Sequence, residues 1–270
     1  PDVSNASTLV GITSTLYIVV LLLVGGRLYT RLRPAPHLGW DDYMITVAFI
    51  LAITEWGLLI ASIRFGVGRH NYYVPPAAQV TAQKLLLASE TLWLPALTFI
   101  KVSIACMLLR IKHTRGWVMF LRFMIVFLIA FCIAFGVFML LICRPLAVVW
   151  DPISHPNAVC INPKAVHVFQ YFSLAIMLIT DLVYTALPAT FIWKMHRRLR
   201  EKIVLYVLMS LGLFAAVTSM VKLPLIKTFG ITGDTLWDTV PLSLWAILEQ
   251  QVGFIAACIP CFKAPFERLL

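Results

Sequence analysis

Seven apolar runs constrain this chain more than any other feature, at about 8–30, 41–65, 84–110, 117–142, 166–193, 203–229 and 239–261. A helix needs roughly 20 apolar residues to cross the hydrocarbon core of a bilayer, and each run is that long or longer. Lipid offers backbone amides no partners, so such runs cross as helices that satisfy their own hydrogen bonds. The connections are short, and no repeat array or low-complexity linker interrupts them. The expected fold is therefore all-α, a polytopic, multi-pass membrane protein built as a seven-transmembrane-helix bundle in a single domain over 1–270. Composition agrees: the chain is 61% apolar and 13% charged, against about 45–50% and about 25% in soluble domains.

The net charge of +10 reads as topology. Lys and Arg collect on the cytoplasmic side of membrane proteins, where they also meet anionic lipid. With the N-terminus outside, the cytoplasmic segments hold 13 basic residues: Arg27, Arg31, Arg33, Arg110, Lys112, Arg115, Lys194, Arg197, Arg198, Arg200, Lys202, Lys263 and Arg268. The other side holds 6: Arg64, Arg69, Lys84, Arg144, Lys164 and Lys227. This bias predicts N-terminus outside and C-terminus cytoplasmic. Asn5-Ala6-Ser7 is a glycosylation sequon on the predicted outer side. Cys143 and Cys160 bracket the fourth-to-fifth loop on that same side, where disulfides form and persist, and a bridge between them is expected. No interleaving of basic and aromatic residues argues for nucleic acid. The bilayer itself is the first partner, in the plasma membrane or an endomembrane.

The third run carries Glu90 and Lys101. Eleven residues at about 100° each return them to nearly one face, about 16 Å apart along the axis. A charge inside a membrane helix costs at least about 2.5–3.5 kcal/mol, so both are expected to face protein or a wet cavity. Glu55, Asp181, Lys222 and Glu249 are further charges within spans, and Thr218 and Ser219 share the Lys222 face. Glu55, Glu90, Lys222 and Glu249 fall in the predicted outer half, with Lys101 and Asp181 deeper. Structural ion bridges are one reading of this set. A shared pocket that binds a ligand or works on one is the other. Interior prolines at 95, 188, 224, 241 and 260 can open space among the helices.

Two connections carry further signals. Asp41 and Asp42 open the second helix, where unpaired amides and the dipole favour negative charge. Pairing with Arg27 or Arg31 is the expected role, with a lipid or G-protein contact as its rival. Gly66-Val67-Gly68-Arg69-His70 leaves the second helix by a tight turn. Arg69 and His70 then stand at the predicted outer mouth, placed either to receive an anionic or hydrogen-bonding ligand or to form a surface salt bridge.

Several of these segments together resemble the fungal rhodopsin-domain family of integral membrane proteins. They are Arg27-x-Tyr29-x-Arg31, Trp40-Asp41-Asp42, Gly66-x-Gly68-Arg69-His70, Lys101-x-Ser103 followed by Leu109-Arg110, and Cys143-x-Pro145 with Trp150 and Cys160. Asp181 with Pro188 and Glu249 with Pro260 fit the same pattern. The resemblance runs from about residue 27 to 265. It implies seven helices with the N-terminus outside, in receptor-like proteins of filamentous fungi linked to host sensing or secondary-metabolite gene clusters. It does not fix the chemistry. Helix seven offers Glu249 and no Lys before Lys263, so no retinal Schiff base is expected, and neither cofactor nor metal is called for. The microswitch motifs of the usual G-protein-coupled receptors are also missing.

Two functions follow from these residues. One is a receptor-like protein that binds a small ligand through Arg69, His70, Glu90, Lys101, Asp181, Lys222 and Glu249, with a signalling partner at its basic third cytoplasmic loop. The other is a membrane-embedded cyclase, isomerase or hydrolase acting on a lipophilic substrate. There Glu90, Asp181 or Glu249 would be the catalytic acid or base, with Lys101 or Lys222 stabilising negative charge. A transporter is a weaker third, since the chain shows no inverted repeat.

Overall fold

In the computed structural model, residues 3–33, 38–111, 114–152, 154–192, 199–228 and 233–262 are described. Among them, seven helices are long and apolar enough to cross a membrane. They are α1 (Ala6–Leu32), α2 (Trp40–Arg64), α3 (Pro76–Ile111), α4 (Arg115–Leu141), α5 (Pro163–Ile192), α6 (Leu199–Thr228) and α7 (Thr235–Cys258). A 3₁₀ turn, Ile259–Phe262, follows α7. Most bounds match the apolar runs within four residues. The exception is α3, which starts at Pro76 where the sequence reading opens at 84. Its first two turns, Pro76-Ala77-Ala78-Gln79-Val80-Thr81-Ala82-Gln83, are good helix formers after a proline start but too polar to register as membrane sequence. The basic residues Lys112, Lys194, Arg197, Arg198, Lys263 and Arg268, and with them much of the expected third cytoplasmic loop, lie outside the described residues.

Helix α4 shows how an almost wholly apolar helix is used. Leu121, Met124, Leu128, Phe131 and Phe135 are buried at spacings of three and four, while Met119, Phe123, Val126, Ile133 and Leu140 are exposed. One stripe faces the bundle, and the rest has the composition lipid demands. Phe131, Phe135 and Phe138 meet Phe169 and Phe172 of α5, Phe138 stacking on Phe169 with ring centroids 3.7 Å apart.

The fourth-to-fifth loop lies at one end of the bundle. Cys143–Arg144 (β1) and Val159–Cys160 (β2) pair antiparallel, and Cys143 and Cys160 form the expected disulfide. The Lys84 ammonium lies 5.8 Å from the centre of the Trp150 ring, tying this loop to α3. At the same end, Gly66 and Gly68 have φ of +109° and +88°, which only glycine adopts readily. The Gly68 amide donates to the Leu236 carbonyl of α7, and its carbonyl accepts from the Asn5 amide before α1. A side chain at Gly68 would press on Ala6. Asn5, the sequon residue, is exposed.

The opposite end is closed by charge. Arg27 is fully buried; it donates to Asp41 (2.7 Å) and Asp42 (3.0 Å) and to the Ala257 carbonyl of α7. Arg31 reaches Asp41 at 3.4 Å, and Arg110 of α3 reaches it at 3.2 Å. Asp42 also accepts the Gly39 amide, capping α2, while Ser103 donates to the Asp41 carbonyl. The two aspartates thus have the structural role expected of them, and the clamp also recruits Arg110. A Cβ at Gly39 would run into the Arg110 guanidinium and the Asp41 carboxylate and push them from their present places.

Candidate functional site

The membrane charges separate into distinct groups. Lys101 of α3 pairs with Asp181 of α5 at 2.9 Å. Its ammonium also donates to the Thr180 hydroxyl at 2.8 Å and the Met177 carbonyl at 3.3 Å. Lys222 of α6 donates to Glu249 of α7, with both side chains all but excluded from solvent. The Ser219 hydroxyl donates to the other Glu249 oxygen at 3.2 Å, one turn before Lys222 on the face the sequence marks as polar. Trp93 of α3 places its ring face 4.7 Å from the Lys222 nitrogen, a cation–π contact that replaces part of the lost hydration. Each amine therefore meets a carboxylate and neutral acceptors or an aromatic face, as buried charges must.

Two cavities flank the Lys222–Glu249 pair. The smaller, of about 80 Å³, is lined by Lys101, Asp181 and Glu249 together with Tyr184 and Thr185 of α5 and Gly212 of α6. One Asp181 oxygen and the Tyr184 hydroxyl are buried there without a protein partner. The larger, of about 160 Å³, lies toward the disulfide end. Its polar groups are Glu55, Ser89, Glu90, Gln170, Ser173, Lys222 and Ser243; apolar side chains such as Leu59, Leu94, Phe135 and Met139 make up most of the remainder. Lys222 faces the larger cavity and Glu249 the smaller, so their ion pair stands as a septum between the two.

The larger cavity holds two carboxylates that no amine neutralises. Glu55 of α2 is buried, and one of its oxygens accepts from the Gln250 amide at 2.7 Å. Glu90 opens its surface to the cavity. Among the described residues neither forms an ion pair. Pro95, Pro224 and Pro241 sit inside α3, α6 and α7, a few residues from lining residues. Each removes a backbone hydrogen bond where the helices part.

Lys101, Asp181, Lys222 and Glu249 are thus drawn to the middle of the bundle, and Glu90 lines the adjoining larger cavity. Glu90 and Lys101 leave α3 on related faces, yet they serve different cavities. Arg69 and His70 stand apart from both. His70 Nδ1 lies 2.9 Å from Asp234, and its ring stacks on Trp237 at 4.3 Å. Asp234 also accepts the Asn71 amide at 2.8 Å. The carboxyl of Asp234 is held below its ordinary range, first by the His70 hydrogen bond and then by that of Asn71. This is the salt-bridge alternative, a latch between the α2–α3 connection and the start of α7. Sequence reasoning missed Trp93 and Gln250. Both carried a signal: Trp93 lies one turn beyond Glu90, and Gln250-Gln251 is a polar pair beside Glu249 in an apolar span.

The model of the fungal rhodopsin domain matches residues 26–268. The chain belongs to that family. Among its relatives, a polyenoic acids biosynthesis gene cluster protein of Metarhizium anisopliae is 24% identical over 93% of this chain and 71% of its own length. A fugralins biosynthesis cluster protein of Gibberella zeae is 33% identical over 44% of the chain and 29% of its own length. A SAT4 family membrane protein of Emericella nidulans is 26% identical over 85% of the chain and 55% of its own length. No solved structure matches. This fungal rhodopsin-domain chain is thus an integral, multi-pass membrane protein whose relatives include products of secondary-metabolite clusters.

Proposed function

We propose that this protein is receptor-like and binds a small lipophilic molecule in the larger cavity, in the outer half of a bundle whose N-terminus is outside. One observation carries the reading: an apolar cavity of about 160 Å³ enclosed by α2 to α7, with polar groups at Glu55, Glu90 and Lys222. Binding sites take this form, mostly apolar walls with few placed polar groups. The names of two relatives, tied to polyenoic acid and fugralin clusters, favour a lipophilic natural product. Signalling would pass through the septum to a cytoplasmic partner at the α5–α6 connection, in the plasma membrane or an endomembrane.

An enzymatic reading rests on Glu90. Of the three candidate catalytic carboxylates, Asp181 and Glu249 are held in ion pairs. Glu90 has no ion-pair partner among the described residues and could exchange a proton with a substrate in an apolar site. Mass spectrometry of small molecules extracted from protein purified from a fungal host tests both readings. The receptor reading expects a lipophilic compound recovered unchanged from wild type and lost from Ser173→Phe, which fills the cavity from α5. Conversion of that compound by wild type but not by Glu90→Gln would favour the enzyme. Equal recovery from wild type and Ser173→Phe would refute the cavity as the site.

A further inference from the structure

Charge balance around the larger cavity narrows what it can take. The buried lysines are both committed, Lys101 to Asp181 and Lys222 to Glu249. Glu55 and Glu90 are left facing this space with no ion-pair partner among the described residues, since Lys222, which lines it too, is neutralised by Glu249. Glu55 is 4% exposed; Gln250 occupies one of its oxygens, and among the described residues the second has no donor. A carboxylate in low dielectric is stabilised by an opposite charge within hydrogen-bond reach far more than by an amide alone.

Resting on the cavity as the binding site, we infer that its ligand is a cationic amphiphile: a protonated nitrogen held by Glu90 and the free oxygen of Glu55, on a compact apolar body packed among Leu94, Phe135 and Met139. An anionic ligand is disfavoured. Lys222 is already neutralised by Glu249, so an anion in this space would add a further uncompensated negative charge to those of Glu55 and Glu90.

Three probes that share one rigid cage separate the possibilities: 1-aminoadamantane, 1-adamantanol and adamantane-1-carboxylate. Each is titrated into the full chain in lipid nanodiscs at pH 7, with binding read by intrinsic tryptophan fluorescence and thermal shift. The amine is expected to bind at least tenfold more tightly than either analogue. Glu90→Gln and Glu55→Gln should each remove that preference, and Ser173→Phe should abolish binding. Each variant is first checked for an unliganded melting profile, so that a failure to fold in one carboxylate variant leaves the other as the test. Alcohol binding as tight as the amine's, and lost in Ser173→Phe, would overturn the cationic inference while leaving the cavity as a site. An amine preference unchanged in both Gln variants would overturn it equally. Binding of none of the three would sink the inference and the cavity reading together.

Discussion

Removing one partner of the Lys222–Glu249 pair should cost far more than removing both. In Lys222→Met, Glu249 keeps the Ser219 hydroxyl but loses its cation at about 1% exposure. In Glu249→Gln, the ammonium keeps the Trp93 face but no carboxylate. Unit charges about 4 Å apart attract by about 4 kcal/mol at an effective dielectric near 20. Breaking a buried pair from one side typically costs about 3–5 kcal/mol, because a charge is left uncompensated. At roughly 2–4 °C per kcal/mol for a chain of this size, each single variant should melt on the order of 10 °C below wild type. The double variant removes both charges and both desolvation penalties. A coupling of about 2 kcal/mol or more is therefore expected, against about 0.2–1 kcal/mol for an exposed pair. The assay is thermal unfolding of the four proteins in lipid nanodiscs, with binding of the cavity ligand measured alongside. Additivity within about 0.5 kcal/mol, or two harmless single variants, would refute the septum.

Other elements predict as directly. Replacing Cys143 and Cys160 by Ser frees a loop of 17-residue separation, with an expected loss of about 3 kcal/mol by chain entropy. Non-reducing peptide mapping that found both as free thiols in wild type would contradict the bridge. Arg27→Met takes the buried fork from Asp41 and Asp42, leaving them Arg31 and, for Asp41, Arg110, and should cost about 1.5–3 kcal/mol. Arg27→Lys should not restore it, since one ammonium cannot reproduce a fork that serves two carboxylates and the Ala257 carbonyl. The depressed Asp234 carboxyl contributes stability above its unfolded value of about 3.9, and this is lost as pH falls through its lower folded value. Asp234→Asn should therefore melt below wild type at neutral pH and match it in strong acid; a gap that persists there would overturn the assignment.

The seven helices were legible because length and apolarity alone decide what crosses a bilayer. The disulfide was legible because two cysteines flank one loop. The Arg27 clamp was half legible. Capping chemistry drew Asp41 and Asp42 to the start of α2, and proximity in sequence supplied Arg27 and Arg31. Arg110, from a helix two spans away, had no local signal. The set of buried charges was visible too, since each stands out against an apolar span, but its pairing was not. Counting along α3 gives the relative depth and face of Glu90 and Lys101, yet not which helix meets each face. Lys101 finds Asp181 because α5 packs beside the middle of α3, and Lys222 finds Glu249 because α6 packs on α7.

That packing order rests on many small contacts between interchangeable apolar side chains, each worth a fraction of a kcal/mol. Cys, Asp and Arg announce themselves one residue at a time, whereas the choice of neighbour is spread over Leu94, Leu97, Phe131, Phe135 and Met177 between α3, α4 and α5. The same dispersal hid the division into two cavities. A charge in a membrane helix reveals that something polar must face it, but the partner's identity depends on the least specific part of the sequence, its apolar packing residues. Glu90 shows the consequence. Read along α3, it is one half of a polar face shared with Lys101. Placed in the bundle, it is the carboxylate left facing the larger cavity without an amine.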